Sequence, residues 1–231
     1  MTFSIVARCA ATGAFGVAVA SSSPAVAARC AYARSGVGAV ASQNVTDPTL
    51  GPRSLDLMAL GASAYQAIEA LRGSTDHMEY RQILAVDARG RTATHSGSRA
   101  LGVSSVANDE NVACGGNLLA DARVPTVMVK AFVGADGHLG DRLIAAMRAG
   151  LEAGGEAGPV HSAGLKLVDK VSWPVADLRV DWTEECPIAG LASLWELYKP
   201  QMDAYVTRAL NPAGAPRCGV SRGCPRPDRD G

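Results

Sequence analysis

The chain begins with two short extended segments joined by a tight turn, and this opening hairpin limits the fold more than any other feature. Residues 2–8 are rich in Phe, Ile and Val, and residues 15–21 run Phe-Gly-Val-Ala-Val-Ala-Ser. Ala11-Thr12-Gly13 supplies the turn between them. A third extended segment, Gly36 to Gln43, follows with only the Ser21-Ser22-Ser23-Pro24 stretch able to start a short helix before it. Helical spacing then appears at Leu55, Met58 and Ala59, and again at Tyr65, Ile68 and Leu71. His77 to Arg81 can add one more turn. Extended segments return at 82–86, 92–96 and 112–116. Helices are expected over 127–133 and 139–151, and strands over 162–170 and 176–182. One long amphipathic helix is expected over 188–210, with Leu191, Leu194, Trp195 and Tyr198 along one side.

Strands outnumber what a regular alternation of strand and helix would give. The economical packing is α+β: two antiparallel sheets face to face with helices outside, a four-layer αββα sandwich. The 231-residue chain contains 25 glycines and few aromatics, so close sheet contact is feasible. The hydrophobic fraction is 48% and the charged fraction 19%, which marks a globular chain. Residues 1–210 are read as one domain. Residues 211–231, rich in Pro, Gly and Arg, are read as a tail outside the core.

Lys plus Arg equals Asp plus Glu, at 22 each. That balance gives no general pull toward nucleic acid or anionic membrane. The start lacks a basic n-region, so no signal peptide is expected. No run of about 18 apolar residues predicts a transmembrane helix. The expectation is a soluble, cytoplasmic chain whose scattered cysteines stay reduced. Gly36-Val37-Gly38-Ala39-Val40-Ala41 fits a loose dinucleotide pattern but does not open a helix after a strand. Cys218 and Cys224 lack the spacing and the second pair of a metal knuckle. No metal or other cofactor is expected. His77 and His138 sit in polar segments and are expected on the surface.

Thr2 is the first chemical candidate. Initiator Met is usually removed before a residue as small as Thr, and removal would place a free α-amine beside a β-hydroxyl. With a reference pKa of about 7.7–8, that amine can take the hydroxyl proton near neutral pH. A strand holds such a residue rigidly, and Thr2 begins one. The ordinary reading of Thr2 is a β-branched strand residue.

Several segments resemble one bacterial family. They are Thr2 to Ala7, Thr12-Gly13, Gly16 to Ser21, Gly36 to Gln43, Arg81-Gln82, Gly115-Gly116-Asn117-Leu118-Leu119, Ala153-Gly154-Gly155, Ser162 to Leu165 and Asp177 to Asp181. The family is the domain of unknown function 1028, placed among the N-terminal-nucleophile (Ntn) hydrolases. The resemblance implies that fold type, Thr2 as nucleophile and Ser4 as its strand neighbour. It also implies that Asn117 donates to an oxyanion, which suits an amide N–H following a Gly-Gly turn; the plain alternative is a turn-capping Asn. Arg179 and Asp181 alternate on one face of a strand, where they can meet a ligand carboxylate, tune the amine or simply form a solvated pair. His95 ends a strand and can line the same cleft. The sequence departs from the family's pattern at Glu156, where Asp is usual, and at Trp182, where a second Asp is usual.

The leading expectation is hydrolysis of an amide or ureido bond in a small molecule, without a cofactor. A small-metabolite-binding protein that keeps Met1 is the alternative. A homo-oligomer is expected from the flat Gly/Ala-rich sheets and the last helix.

Overall fold

The computed structural model of the protein describes residues 2–215. Ten strands and seven α-helices run in the order β1 (Thr2–Arg8), β2 (Phe15–Ser21), α1 (Ala27–Cys30), β3 (Ala31–Arg34), β4 (Gly38–Asn44), α2 (Leu50–Ala59), α3 (Ala64–Ser74), β5 (Arg81–Asp87), β6 (Thr92–Ser96), β7 (Ser105–Asp109), β8 (Val112–Asn117), α4 (Val124–Gly134), α5 (Leu139–Glu152), β9 (Ser162–Val168), β10 (Ala176–Val180), α6 (Pro187–Tyr198) and α7 (Met202–Leu210). One sheet has the order β10-β9-β2-β1-β8-β7 and the other β3-β4-β5-β6. Neighbours in both are antiparallel.

Strand alternation sorts the side chains into three cores. From β1, Phe3 and Ile5 face outward and pack with Met128 and Phe132 of α4, Leu143 and Met147 of α5, and Leu191 and Trp195 of α6. Val6 faces the other way, into a core shared between the sheets with Val17, Val19, Ala39, Ala41, Leu84, Val86 and Ala113. On the far side of the smaller sheet, Val40, Ile83 and Ala85 pack against Leu55 and Met58 of α2 and Ile68 and Leu71 of α3. The layers are therefore helix, sheet, sheet, helix. Gly115 marks how close the sheets come: a Cβ there would lie 2.9 Å from Leu84 Cδ2 and 3.1 Å from Val106 Cγ1.

Four elements differ from the sequence expectation. β3 and β7 are additional, both short edge strands with weak alternation. The long last helix is two helices, α6 and α7, joined by a 3-10 turn at Lys199–Gln201. Pro200 explains the break, since it has no N–H and crowds the preceding turn. The short helix expected near Ser21-Ser22-Ser23-Pro24 forms slightly later, at Ala27–Cys30. Residues 211–215 follow α7, while Cys218 and Cys224 lie outside the described residues. Among the described residues, no helix is long and apolar enough to cross a membrane.

The contact between α5 and α6 depends on Gly140. A Cβ at this position would fall 2.4 Å from Trp195 Cζ2, and the indole is held by Nε1 donating to Asp141 Oδ1 at 2.7 Å. Gly140→Ala should gain about 1 kcal/mol in helix propensity and lose about 1–3 kcal/mol to overpacking. We expect a net loss, read as a lower urea midpoint with unchanged slope. A midpoint at or above wild type would contradict this packing.

Candidate functional site: the polar end of the sandwich

The space between the sheets is apolar over most of its length and polar at one end. The same strand parity that sends Val6, Val19, Ala41, Leu84 and Ala113 into the middle sends Thr2 and Ser4, Ser21, Gln43, Gln82 and Asn117 inward at that end. All six are buried, Thr2 at 6% exposure and Asn117 at 1%. Buried polar groups need partners, because an unmet one costs about 1–3 kcal/mol. Here the partners are mostly each other.

Ser4 Oγ donates to Gln43 Oε1 at 2.7 Å. Gln43 Nε2 donates to Gln82 Oε1 at 2.8 Å and to the Gly115 carbonyl at 3.2 Å. Gln82 Nε2 donates to the Gly116 carbonyl at 3.0 Å and to Ser96 Oγ at 3.2 Å. Asn117 Nδ2 donates to Gln82 Oε1 at 3.3 Å. The network links both sheets and ends at Asn117, whose Oδ1 is buried with no hydrogen-bond partner among the described residues.

Thr2 sits beside this network at the start of β1, a strand inside the larger sheet. It lies opposite Asn117 on β8, and its Oγ1 donates to Ser21 Oγ on β2 at 3.3 Å. Ser21 in turn lies opposite Ser162 on β9. Ser162 Oγ donates to the Ser23 carbonyl at 2.6 Å and accepts from Val26 N at 3.2 Å, so it fixes the loop leaving β2.

Glu156 completes this end. It is 4% exposed and forms a bridge with Leu119, two residues past Asn117. Ser22 N donates to its two carboxylate oxygens, each at 3.2 Å. Burial pushes its carboxyl up to about 7, although the positive charge of the chain's amino terminus, the Ser22 hydrogen bonds and the nearby His161 pull the other way. The other buried carboxylate, Asp87, shows the contrast. It accepts from Ala64 N, Arg89 N and Arg91 N and is ion-paired with Arg91 at 2.8 Å. No Lys or Arg among the described residues lies within 4 Å of Glu156.

The structure gathers Thr2, Ser4 and Asn117 as the sequence suggested, but it separates the other candidates. Of the two N–H donors of the Asn117 amide, expected to meet an oxyanion, one is given to Gln82. Residue 95 pairs with Ile83, on the helix-facing side of β5, and His95 Nε2 lies 2.8 Å from the Met78 carbonyl. His95 is thus a correction: it lies across the sheet from the polar end, whereas Ser96 faces it. Arg179 and Asp181 bond each other, Arg179 Nε to Asp181 Oδ1 at 3.0 Å and Nη2 to both oxygens at 2.9 and 3.1 Å. Their side chains are 36% and 54% exposed. With β10 three strands from β1, they stand roughly 14 Å from Thr2 at about 4.8 Å per strand. This is the solvated pair, out of reach of the hydroxyl. His138 is also corrected: it is half-buried, caps α5 by accepting from Gly140 N through Nδ1, and packs on Trp195.

Sequence reasoning singled out neither Gln43, Gln82 nor Ser21 as site residues, and it noted Glu156 only as a departure from the family's pattern. The available signal was an inward-parity Gln or Ser closing an apolar strand.

A cavity of about 580 Å³ lies at the opposite end of β1, lined by Cys9, Thr12, His138, Leu167, Met202 and Val206 among others. Seven residues of strand put it roughly 23 Å from Thr2. Its walls are mainly apolar, and its histidine is occupied in capping. Among the described residues it has no counterpart of the buried polar network and the unmet Asn117 Oδ1 that make the other end the better chemical candidate.

Residues 2–191 match the family described as "Family of unknown function (DUF1028)". The solved structure of a DUF1028-family protein from Silicibacter pomeroyi is similar, with TM-score 0.80 and 29% identity over 86% of each chain. The structure of Anbu (ancestral beta-subunit) from Yersinia bercovieri shows 12% identity over 88% of this chain and 97% of that one, at TM-score 0.36, too low to bear on the fold. No curated protein matches the chain.

The raised Glu156 carboxyl predicts a pH effect on stability. A carboxyl raised from 4.5 to about 7 binds its proton more tightly in the folded state. Its contribution to stability is therefore complete below about pH 4.5 and is lost as pH rises through 7. Glu156→Gln, neutral throughout, should gain on wild type between pH 5 and pH 8 by as much as about 2 kcal/mol. Denaturant titrations of both proteins across that range check this, and a constant difference would refute it.

Proposed function

Since this chain belongs to the DUF1028 family of unknown function, we propose that it is an N-terminal-nucleophile hydrolase that opens an amide or ureido bond of a small molecule. The observation that carries this reading is the concentration of buried polar groups around the first residue of β1, inside an otherwise apolar interior. The helix-sheet-sheet-helix layering agrees with the Ntn type that the sequence resemblance implies.

In this reading Met1 is removed. Thr2 Oγ attacks the carbonyl carbon, and its proton passes to the α-amine of the same residue. The tetrahedral oxyanion collapses, the C–N bond breaks, and the amine returns the proton to the leaving nitrogen. Water then attacks the acyl ester on Thr2 with the amine again as base; the bond from the acyl carbon to Thr2 Oγ breaks, the acid leaves, and the amine returns the proton to Oγ. Ser21 holds the Thr2 hydroxyl on one side, and the Ser4–Gln43–Gln82 network holds the β1 and β8 backbones on the other. Backbone N–H groups are the oxyanion donors, because the Asn117 amide N–H faces Gln82. The reaction needs no cofactor. The balance of 22 basic and 22 acidic residues suits a small-molecule substrate over nucleic acid.

A binding protein that keeps Met1 would use the same polar end for a metabolite. The observation favouring it is the near-complete burial of Thr2.

Intact mass of the protein at native expression level, followed by labelling with a β-lactone, separates the two. We expect loss of Met1 and a single acyl adduct that maps to Thr2. Thr2→Ser should keep the adduct and Thr2→Ala should lose it. Retained Met1, or an adduct that survives Thr2→Ala, would overturn the hydrolase reading.

A further inference from the structure

The Asn117 amide has a fixed polarity, and the fixing starts from the backbone. The carbonyls of Gly115 and Gly116 can only accept. They therefore require Nε2 of Gln43 and of Gln82 to face them, as observed at 3.2 and 3.0 Å. That leaves Gln82 Oε1 as an acceptor, receiving Gln43 Nε2 at 2.8 Å and Asn117 Nδ2 at 3.3 Å. Turning the Asn117 amide over would set oxygen against oxygen. Its Oδ1 is consequently aimed away from the network, buried and without a partner among the described residues.

Glu156 has a fixed place as well. The chain leaves α5 through Gly154 and Gly155, both at positive φ (115° and 55°), a turn that side-chain-bearing residues resist. The next residues pair with the exit of β8: Ala120 N donates to the Gly155 carbonyl at 3.1 Å and Ala157 N to the Leu118 carbonyl at 2.9 Å. The carboxylate is anchored on the other side by Ser22 N at the exit of β2. β1 lies between β2 and β8 in the sheet. A group tied to the exits of both flanking strands stands off the amino end of β1, where the nitrogen of Thr2 is.

We infer that Asn117 Oδ1 and the Glu156 carboxylate are positioning residues for the α-amino group of Thr2, which they receive as an acceptor pair once Met1 is removed. This rests on the loss of Met1 that the proposed function requires, and it deepens the reading of Thr2 as nucleophile. With the carboxyl ionised, a wall of acceptors suits a group rich in N–H, and a freed α-amine brings two or three donors where the intact peptide bond has one. During attack the amine gains the hydroxyl proton and becomes an ammonium. The carboxylate and the amide oxygen stabilise that charge and aim the remaining lone pair or proton at the reacting atoms, as an acid does behind a histidine base. The α-amine and the Glu156 carboxyl titrate as a coupled pair. Around Glu156, Ser22 contributes hydrogen bonds, Leu119 is apolar, and the titratable neighbours are the chain's amino terminus and, more weakly, His161 at the start of β9. The His161 Nδ1 lies 2.8 Å from the Thr183 carbonyl and 3.8 Å from Glu184.

The test is an NMR pH titration of the full-length, Met1-free protein with labelled threonine, following the Thr2 α and β carbons. In wild type the amine should titrate above its reference of about 7.7–8. Glu156→Gln and Asn117→Leu should each lower that pKa, Glu156→Gln by about one unit. Glu156→Asp and Asn117→Asp, which keep or add negative charge, should hold it up, and they serve as well if a neutral variant fails to fold. His161→Gln controls for the imidazole. An amine pKa that does not move in Glu156→Gln and Asn117→Leu would overturn the inference, even with Thr2 still labelled by the β-lactone. A pKa that moves as expected with no labelling of Thr2 would leave the acceptor pair standing and remove the hydrolase reading.

Discussion

Two backbone carbonyls, those of Gly115 and Gly116, set the polarity of everything at the polar end of the sandwich. A β-sheet edge or interior carbonyl cannot donate, so each amide that reaches one is oriented by it. Gln43 and Gln82 cross from the smaller sheet to meet these carbonyls, and they make the two sheets one body where apolar contact gives out. The glycines matter for reach as much as for polarity. A side chain at position 115 would strike Leu84 of the facing sheet at 2.9 Å, whereas one at 116 would point the other way, into Leu119 and Phe3 on the helix-facing side. Close approach of the sheets and delivery of the amides are the same geometric fact.

From this constraint the chemistry of the site follows without a charged cluster. The network is neutral, and its one open valence is an acceptor. Glu156 is delivered separately, by the Gly154-Gly155 turn after α5. It stays buried without a Lys or Arg among the described residues to neutralise it. Burying a carboxyl in that state costs stability, which functional sites tolerate and structural ones such as Asp87 avoid with an arginine. The polar end and the 580 Å³ cavity divide two roles that often coincide: unmet hydrogen-bonding groups at one end, and apolar volume at the other.

Much of the architecture was legible in the chain. The opening hairpin, the parity of residues 2–8 and 15–21 and the spacing of Leu55, Met58, Ile68 and Leu71 foretold strands, helices and their buried faces. The parity of Thr2 and Ser4 followed from β1 alone. Pro200, two residues past the apolar stripe from Leu191 to Tyr198, is a helix break written in the sequence. The edge strands β3 and β7 were harder, because four or five residues with mixed exposure carry little alternation.

The sequence by itself determined the antiparallel α+β layering and the candidacy of Thr2, because both rest on local periodicity and on chain position. Tertiary structure decided the rest, because register is not local. A one-residue shift in how β6 meets β5 would have put His95 at the polar end and Ser96 under the helices; the observed pairing of Ile83 with His95 does the reverse. Arg179 and Asp181 were separated from Thr2 by strand order, which no spacing along the chain encodes. Glu156 lies 154 positions from Thr2 and was brought to it by a glycine turn between the exits of two strands. Asn117, readable as a donor or an acceptor from its side chain, gives its Nδ2 to Gln82 and turns its Oδ1 away from the network only because two carbonyls on its own strand orient the glutamines that reach it.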